Sequence, residues 1–156
     1  MILEAITPRT ARALAAILAD RAVRVALHAG AAGVSADASA KVWTDSGDAG
    51  QGVFRLVARR EHTAEVVGGV GLSHGELSFF VARAFWGQGV GTAMLGAFLQ
   101  QPAVETCQTQ LFARIERGNL PSRRLVERFG FQFYGLQQRP DGLPPVLRYE
   151  RSAAGP

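Results

Sequence analysis

The 156-residue chain has one cysteine, Cys107, and one lysine, Lys41. A lone cysteine forms no intrachain disulfide and no cysteine-rich metal site, which suits a reducing cytoplasm. His28, His62 and His74 lack the spacing of metal ligands, so no metal is expected. No apolar run approaches the ~20 residues that a membrane span requires, and no membrane partner is expected. The nearest imitation of a signal peptide, ALAAILA at 13–19, has Glu4 upstream and Asp20 directly behind it. It reads as a buried helical face.

What is present describes a folded domain. Hydrophobic residues make up 47% of the chain and charged residues 19%, the balance of an ordinary soluble globule. The length suits a single domain, expected over residues 1–151, with 152–156 as a frayed tail. A net charge of +4 would attract an anionic partner. The arginines are scattered, at 59–60, 114, 117, 123–124, 128 and 139, with few aromatics between them. Single-strand nucleic-acid grooves interleave the two, so a phosphorylated small cofactor explains the charge more economically than nucleic acid.

The apolar pattern predicts an alternation of strands and helices. Residues 2–6 form a short strand, and Thr7-Pro8 offers an N-cap followed by proline at the first helical position. Leu14, Ile17, Leu18 and Val25 continue one helical stripe toward Leu27. From 29 to 48 the pattern dissolves into Gly, Ala, Ser and Asp around Trp43, a loop or a short second helix. Strand-like runs follow at 53–59, 64–72 and 76–82, the last two joined by a tight turn and so antiparallel. A helix over about 92–100 precedes Pro102, and a strand spans 109–115. A helix over 120–129 is closed by Gly130, and strands at 131–136 and 146–150 complete the chain.

The stretch FVARAFWGQGVGTAML, 80–95, runs a strand into three glycines and then into a helix. Such a junction presents unpaired N–H groups at the positive end of a helix dipole, and glycine lets an oxyanion approach the peptide plane closely. The expected ligand is a phosphate or, better, a pyrophosphate. Each charge-assisted N–H bond contributes about 1.5–3 kcal/mol, so several hold a diphosphate with no lysine nearby. The two common nucleotide motifs do not fit. Thr92 stands where the dinucleotide fingerprint wants its third glycine, and the G-K-[ST] of a P-loop is absent.

These residues resemble the GNAT superfamily of acyl-CoA-dependent N-acyltransferases. That family's pyrophosphate loop reads [QR]-x-x-G-x-[GA]. WGQGVG at 86–91 matches it at Gly89 and Gly91, while Trp86 departs from the usual Gln or Arg. The tryptophan variant, with ELSFFV at 76–81 and NLPSRRLVERFGF at 119–131, is similar to the branch of ribosomal-protein-alanine N-acetyltransferases. The resemblance covers residues 53–149. It implies an α/β (α+β) fold with a mixed, mostly antiparallel sheet splayed at the cofactor and flanked by helices. It also implies acetyl-CoA as cosubstrate and a primary amine as acceptor. The cofactor-binding positions it points to are Phe79 and Val81, whose backbone would pair with the pantetheine arm, the loop Trp86, Gly87, Gln88, Gly89, Val90, Gly91 and Thr92, and Asn119.

Many relatives place a tyrosine seven residues after the asparagine, as the acid for the departing thiolate. Here that position is Val126, and the serine of the ribosomal-protein branch falls at Ser122. Ser122 is therefore the candidate catalytic acid, beside the plainer role of a first-turn helix residue. Glu76, at the start of the pantetheine strand, is the candidate catalytic base, beside the role of a solvated strand-end carboxylate. Asp141 and His74 are further candidate bases. An α-amine with pKa about 7.8 costs roughly 3.5 kcal/mol less to deprotonate than a lysine at about 10.4, which favours a protein N-terminal α-amine. A small-molecule amine stays open, and a polycation would need Asp37, Asp45 and Asp48 at the acceptor mouth. The alternative of another class is a non-catalytic acyl-CoA sensor or interaction module, and a homodimer is left open.

Overall fold

The computed structural model describes residues 1–30, 33–106, 110–140 and 142–152. Its strands are β1 (Ile2–Glu4), β2 (Val53–Arg59), β3 (Val66–Ser73), β4 (Glu76–Val81), β5 (Gln110–Ile115), β6 (Gln132–Gln137) and β7 (Val146–Ser152). They form one sheet in the order β1-β2-β3-β4-β5-β7-β6. Every neighbouring pair is antiparallel except β4 and β5, which run parallel, so the expected mixed, mostly antiparallel sheet is present. The β3–β4 hairpin turns on His74 and Gly75, both at positive φ, 49° and 88°, a geometry whose twist matches that of the strands it joins. Ser152, expected in the tail, belongs to β7, and the rest of that expectation, 153–156, lies outside the described residues.

Helix α1 (Pro8–Leu18) starts as expected. Thr7 and Thr10 cap each other's backbone N–H, and Pro8 needs no partner at the first position. The stripe expected to run on to Leu27 is instead two helices. Asp20 accepts the Ala22 N–H at 2.9 Å and restarts the chain as α2 (Arg21–Leu27). Arg24 then donates to the Leu18 and Ala19 carbonyls at 2.7 and 2.8 Å, satisfying the last turn of α1. Helix α3 (Ala36–Val42), capped by Ser35, occupies the segment read as a loop or short helix. Helix α4 (Val90–Leu99) starts two residues earlier than expected, because Gly89 takes a left-handed φ of 78° and acts as N-cap. A single turn, α5 (Pro102–Glu105), follows it, and α6 (Leu120–Arg128) is capped by Asn119.

The helices divide between the two faces of the sheet. On one, α1 to α3 bury Leu14, Leu18, Val23 and Trp43 against Val57 and Phe80, with the Trp43 and Phe80 rings edge to face at 4.9 Å. Phe80 can lie flat over β3 because its neighbour is Gly69, where a Cβ would stand 2.9 Å from the phenyl ring. On the other face α4 and α6 bury Met94, Leu95, Phe98 and Val126 against Leu77, Leu111 and Tyr149. Each such apolar side chain contributes about 1.5–3 kcal/mol by leaving water. Among the described residues no helix is long and apolar enough to cross a membrane.

Candidate active site

Strands β4 and β5 pair at one point, Glu76 opposite Phe112, where the Phe112 N–H donates to the Gly75 carbonyl at 2.9 Å. Beyond it the strands separate and a cavity of about 360 Å³ opens between them. Ala82 donates its N–H to Val67 of β3, so by the alternation of an antiparallel ladder the peptide groups of Leu77, Phe79 and Val81 face the gap. The Trp86 indole N–H takes one of these acceptors, the Val81 carbonyl, at 2.8 Å. Trp86 therefore fastens the glycine loop to the end of β4.

The cavity ends at that loop. Gly87 and Gly89 hold φ of 73° and 78°, and a Cβ on either would meet nothing within 4 Å. Left-handed backbone, not crowding by protein atoms, thus calls for glycine at both positions. The first intrahelical bond of α4 runs from Ala93 N–H to the Gly89 carbonyl, and no side chain caps the helix. The N–H groups of Val90, Gly91 and Thr92 are left at the cavity wall without intrahelical partners. Gln88 is not on that wall. Its amide donates to the Ala84 carbonyl at 2.8 Å and braces the loop from behind.

Phe79, Val81, Trp86, Gly87, Gly89, Val90, Gly91, Thr92, Asn119 and Ser122 all line this one cavity. The Asn119 Oδ1 accepts the Ser122 N–H at 3.3 Å, which leaves the Asn119 NH2 group as a donor. Neither tyrosine lines the cavity. The Tyr149 hydroxyl is buried between Arg123 Nε at 3.2 Å and Glu127 Oε1 at 3.0 Å, and Tyr134 is exposed on β6. Val126 is fully buried in the core, whereas Ser122, one turn earlier, faces the gap.

Glu76 lies on a second cavity, of about 370 Å³, which meets the first at Leu27, Ser78 and Arg114. Both its oxygens are engaged by Arg114, through Nε at 2.5 Å and Nη2 at 3.0 Å. These bonds hold the Arg114 guanidinium above its ordinary pKa, although its burial acts the other way. His28 also lines this cavity, with Nε2 2.8 Å from the buried Ser39 hydroxyl. Burial, and then the nearby Arg24 charge, push the imidazole below its ordinary value of 6.5, so it is neutral at pH 7. Sequence reasoning singled out neither Arg114 nor Arg55 nor His28 on this wall, and their only signal is tertiary.

The other candidates are placed elsewhere. His74 is exposed at the hairpin tip, away from both cavities. Asp37, Asp45 and Asp48, which a polycation would need at the acceptor mouth, line neither cavity. Asp45 and Asp48 instead accept the N–H groups of Gly47 and Gly50 in local turns, and Asp37 sits in the first turn of α3. Asp141 lies outside the described residues.

The sequence model of the acetyltransferase (GNAT) domain matches residues 1–132. The chain belongs to the GNAT acetyltransferase family. The match takes in the N-terminal helices as well as the glycine loop, so the family extends beyond the stretch that carries the motifs. Solved GNAT structures share the fold along nearly the whole chain. A ribosomal-protein-alanine N-acetyltransferase from Brucella melitensis is 24% identical, with a TM-score of 0.73 over 97% of this chain and 99% of that one. A spermidine N-acetyltransferase from Vibrio cholerae, solved with CoA and spermine, is 14% identical, with a TM-score of 0.78 over 99% and 96%. A phosphinothricin acetyltransferase from Sinorhizobium meliloti, solved with acetyl-CoA, is 19% identical, with a TM-score of 0.67 over 97% and 87%. No curated protein sequence matches the chain.

Proposed function

We propose that the chain transfers an acetyl group from acetyl-CoA to a primary amine. The observation that carries this reading is the gap between β4 and β5, bounded by amide groups at one end and continuous with a polar cavity at the other. The donor set fits the cosubstrate. An extended, amide-bearing arm pairs with the peptide groups of Phe79 and the N–H of Val81 as a further strand would. A diphosphate is met by the N–H groups of Val90, Gly91 and Thr92 at the helix start, with Gly87 and Gly89 shaping the turn. Trp86 and Gln88 hold that turn in place.

Acetyl-CoA supplies the thioester whose carbonyl carbon the amine attacks. In the transfer a C–N bond forms, the C–S bond breaks, one proton leaves the amine nitrogen and one is gained by sulfur. Glu76, close to the junction of the two cavities, takes the amine proton on a lone pair that Arg114 leaves open. The Ser122 hydroxyl supplies the proton to sulfur, and the Asn119 NH2 donates into the same region. An amine of low basicity, such as a protein N-terminal α-amine, is the easier acceptor, because only a neutral nitrogen attacks, and a small-molecule amine is the other candidate.

Release of free thiol from acetyl-CoA across a panel of amines and peptides tests the proposal. Amine-dependent, saturable release supports it. Tight binding of acetyl-CoA with no turnover would make the chain a sensor, and absence of binding would remove the assignment of the channel.

A further inference from the structure

The second cavity is unevenly charged. Among the described residues its wall carries Arg55 and Arg114 beside one carboxylate, Glu76, both of whose oxygens are engaged by Arg114. Arg55 faces Gly71 across the β2–β3 ladder, and Gly71 in turn faces Ser78 across β3–β4. A Cβ on Gly71 would stand 2.8 Å from the Arg55 Cγ. The missing side chain thus lets the Arg55 stem lie over β3, on the face that carries Ser78 and the junction of the two cavities. The Arg55 side chain is 18% exposed, and its paired carboxylate, Asp45, is 4.0 Å away, 76% exposed and off the cavity wall. An ion pair so long and wet contributes little, and a guanidinium has five donors to satisfy.

Resting on the acetyl-transfer reading, the geometry points to an acceptor amine that carries its own anionic group, a carboxylate, phosphonate or phosphate, held by Arg55 while the amine nitrogen reaches the β4–β5 junction. A polyamine is disfavoured by the same wall, since Arg55 repels its charges, Glu76 is engaged by Arg114, and Asp37, Asp45 and Asp48 lie off the wall. Planar, forked recognition of an oxyanion is what arginine does better than lysine. Free amino acids and acidic peptide N-termini share this chemistry.

Initial rates of thiol release from acetyl-CoA would be compared for 4-aminobutyrate and butylamine, for 3-aminopropylphosphonate and propylamine, and for spermidine. Amidated tetrapeptides with glutamate, glutamine or lysine at the second and third positions form the peptide arm. The anionic member of the preferred arm should exceed its neutral partner in kcat/KM by roughly ten- to a hundred-fold, the value of a charge-assisted hydrogen bond, with the difference in KM. Arg55→Gln should collapse that ratio to within about three-fold, and Arg55→Lys should restore part of it. Which arm shows the preference separates free amino acid from peptide.

Equal use of neutral amines, preference for spermidine, turnover of no anionic amine, or an unchanged ratio in Arg55→Gln would overturn the inference. Calorimetry with acetyl-CoA keeps the two readings apart. Failure to bind it sinks the acetyl-transfer reading, whereas binding with indiscriminate turnover removes the anionic acceptor alone.

Discussion

Substitution of Gly91 separates what the first turn of α4 does for the fold from what it does for the ligand. A Cβ there would stand 3.1 Å from a Leu125 methyl and 3.9 Å from a Val81 methyl, and both side chains line the channel. Gly91→Ala asks the end of Leu125 to move by a few tenths of an ångström. That cost is offset by the ~1 kcal/mol by which alanine exceeds glycine inside a helix. Its melting temperature should therefore stay within about 2–4 °C of the parent, the shift that 1 kcal/mol produces in a domain of this size. Gly91→Leu should also keep the fold, because the cavity of about 360 Å³ has room for the side chain, but it fills the space between Leu125 and Val81 through which an extended arm must pass. Each N–H bond to a diphosphate forfeited in the process costs about 1.5–3 kcal/mol, and two such losses weaken binding by roughly 10²–10⁴-fold. Calorimetric titration of CoA, with a thermal melt of each variant, reads both effects. A leucine variant that melts and binds CoA like the parent would refute the placing of the channel.

Two further substitutions test the chemistry and a third tests the burial of His28. Ser122→Ala should lower kcat by about 10²–10⁴ with CoA affinity unchanged, and a loss below about ten-fold would assign the serine to the first turn of α6 alone. Glu76→Gln should lower kcat by at least about 10² and move the acidic limb of the pH–rate profile; an unmoved limb would reduce Glu76 to holding Arg114. His28 sits below its ordinary pKa, so the unfolded chain takes up its proton near pH 6.5 while the folded chain does so only at lower pH. Stability should thus be full above about pH 6.5 and decline as pH falls toward the folded pKa. Urea unfolding of His28→Gln at several pH values should show a shallower decline, and an identical one would contradict the burial of the ring.

Short-range chemistry was legible in the sequence, and tertiary pairing was not. The strand at 53–59, the cap at Thr7 and the turn before Glu76 each follow from a few adjacent residues, and each is present. The glycines at 87 and 89 announced a turn because the residue type itself carries the left-handed conformation, whereas Gly91 lies within α4. Asp20 stood in plain view behind an apolar stripe, yet it accepts the Ala22 N–H only because the helix restarts there; in an unbroken helix the Leu18 carbonyl would take that N–H, and the stripe fits both. The Glu76–Arg114 fork joins residues 38 apart and exists only because β4 and β5 touch at one end before separating. Gly71 lies inside the strand read at 64–72, and its purpose shows only once Arg55 lies over it. Trp86 departed from the family's loop pattern at a position where the structure uses its indole to hold the Val81 carbonyl.

Amide hydrogen exchange measured residue by residue, with and without saturating acetyl-CoA, tests the central claim most directly. Ser78 and Phe80 turn their peptide groups to β3 and should exchange slowly in both states. Phe79 and Val81, facing the gap, should exchange fast alone and become protected with acetyl-CoA, together with Val90, Gly91 and Thr92 at the start of α4. Unchanged exchange at Phe79, Val81 and the first turn of α4 under saturation would contradict the account.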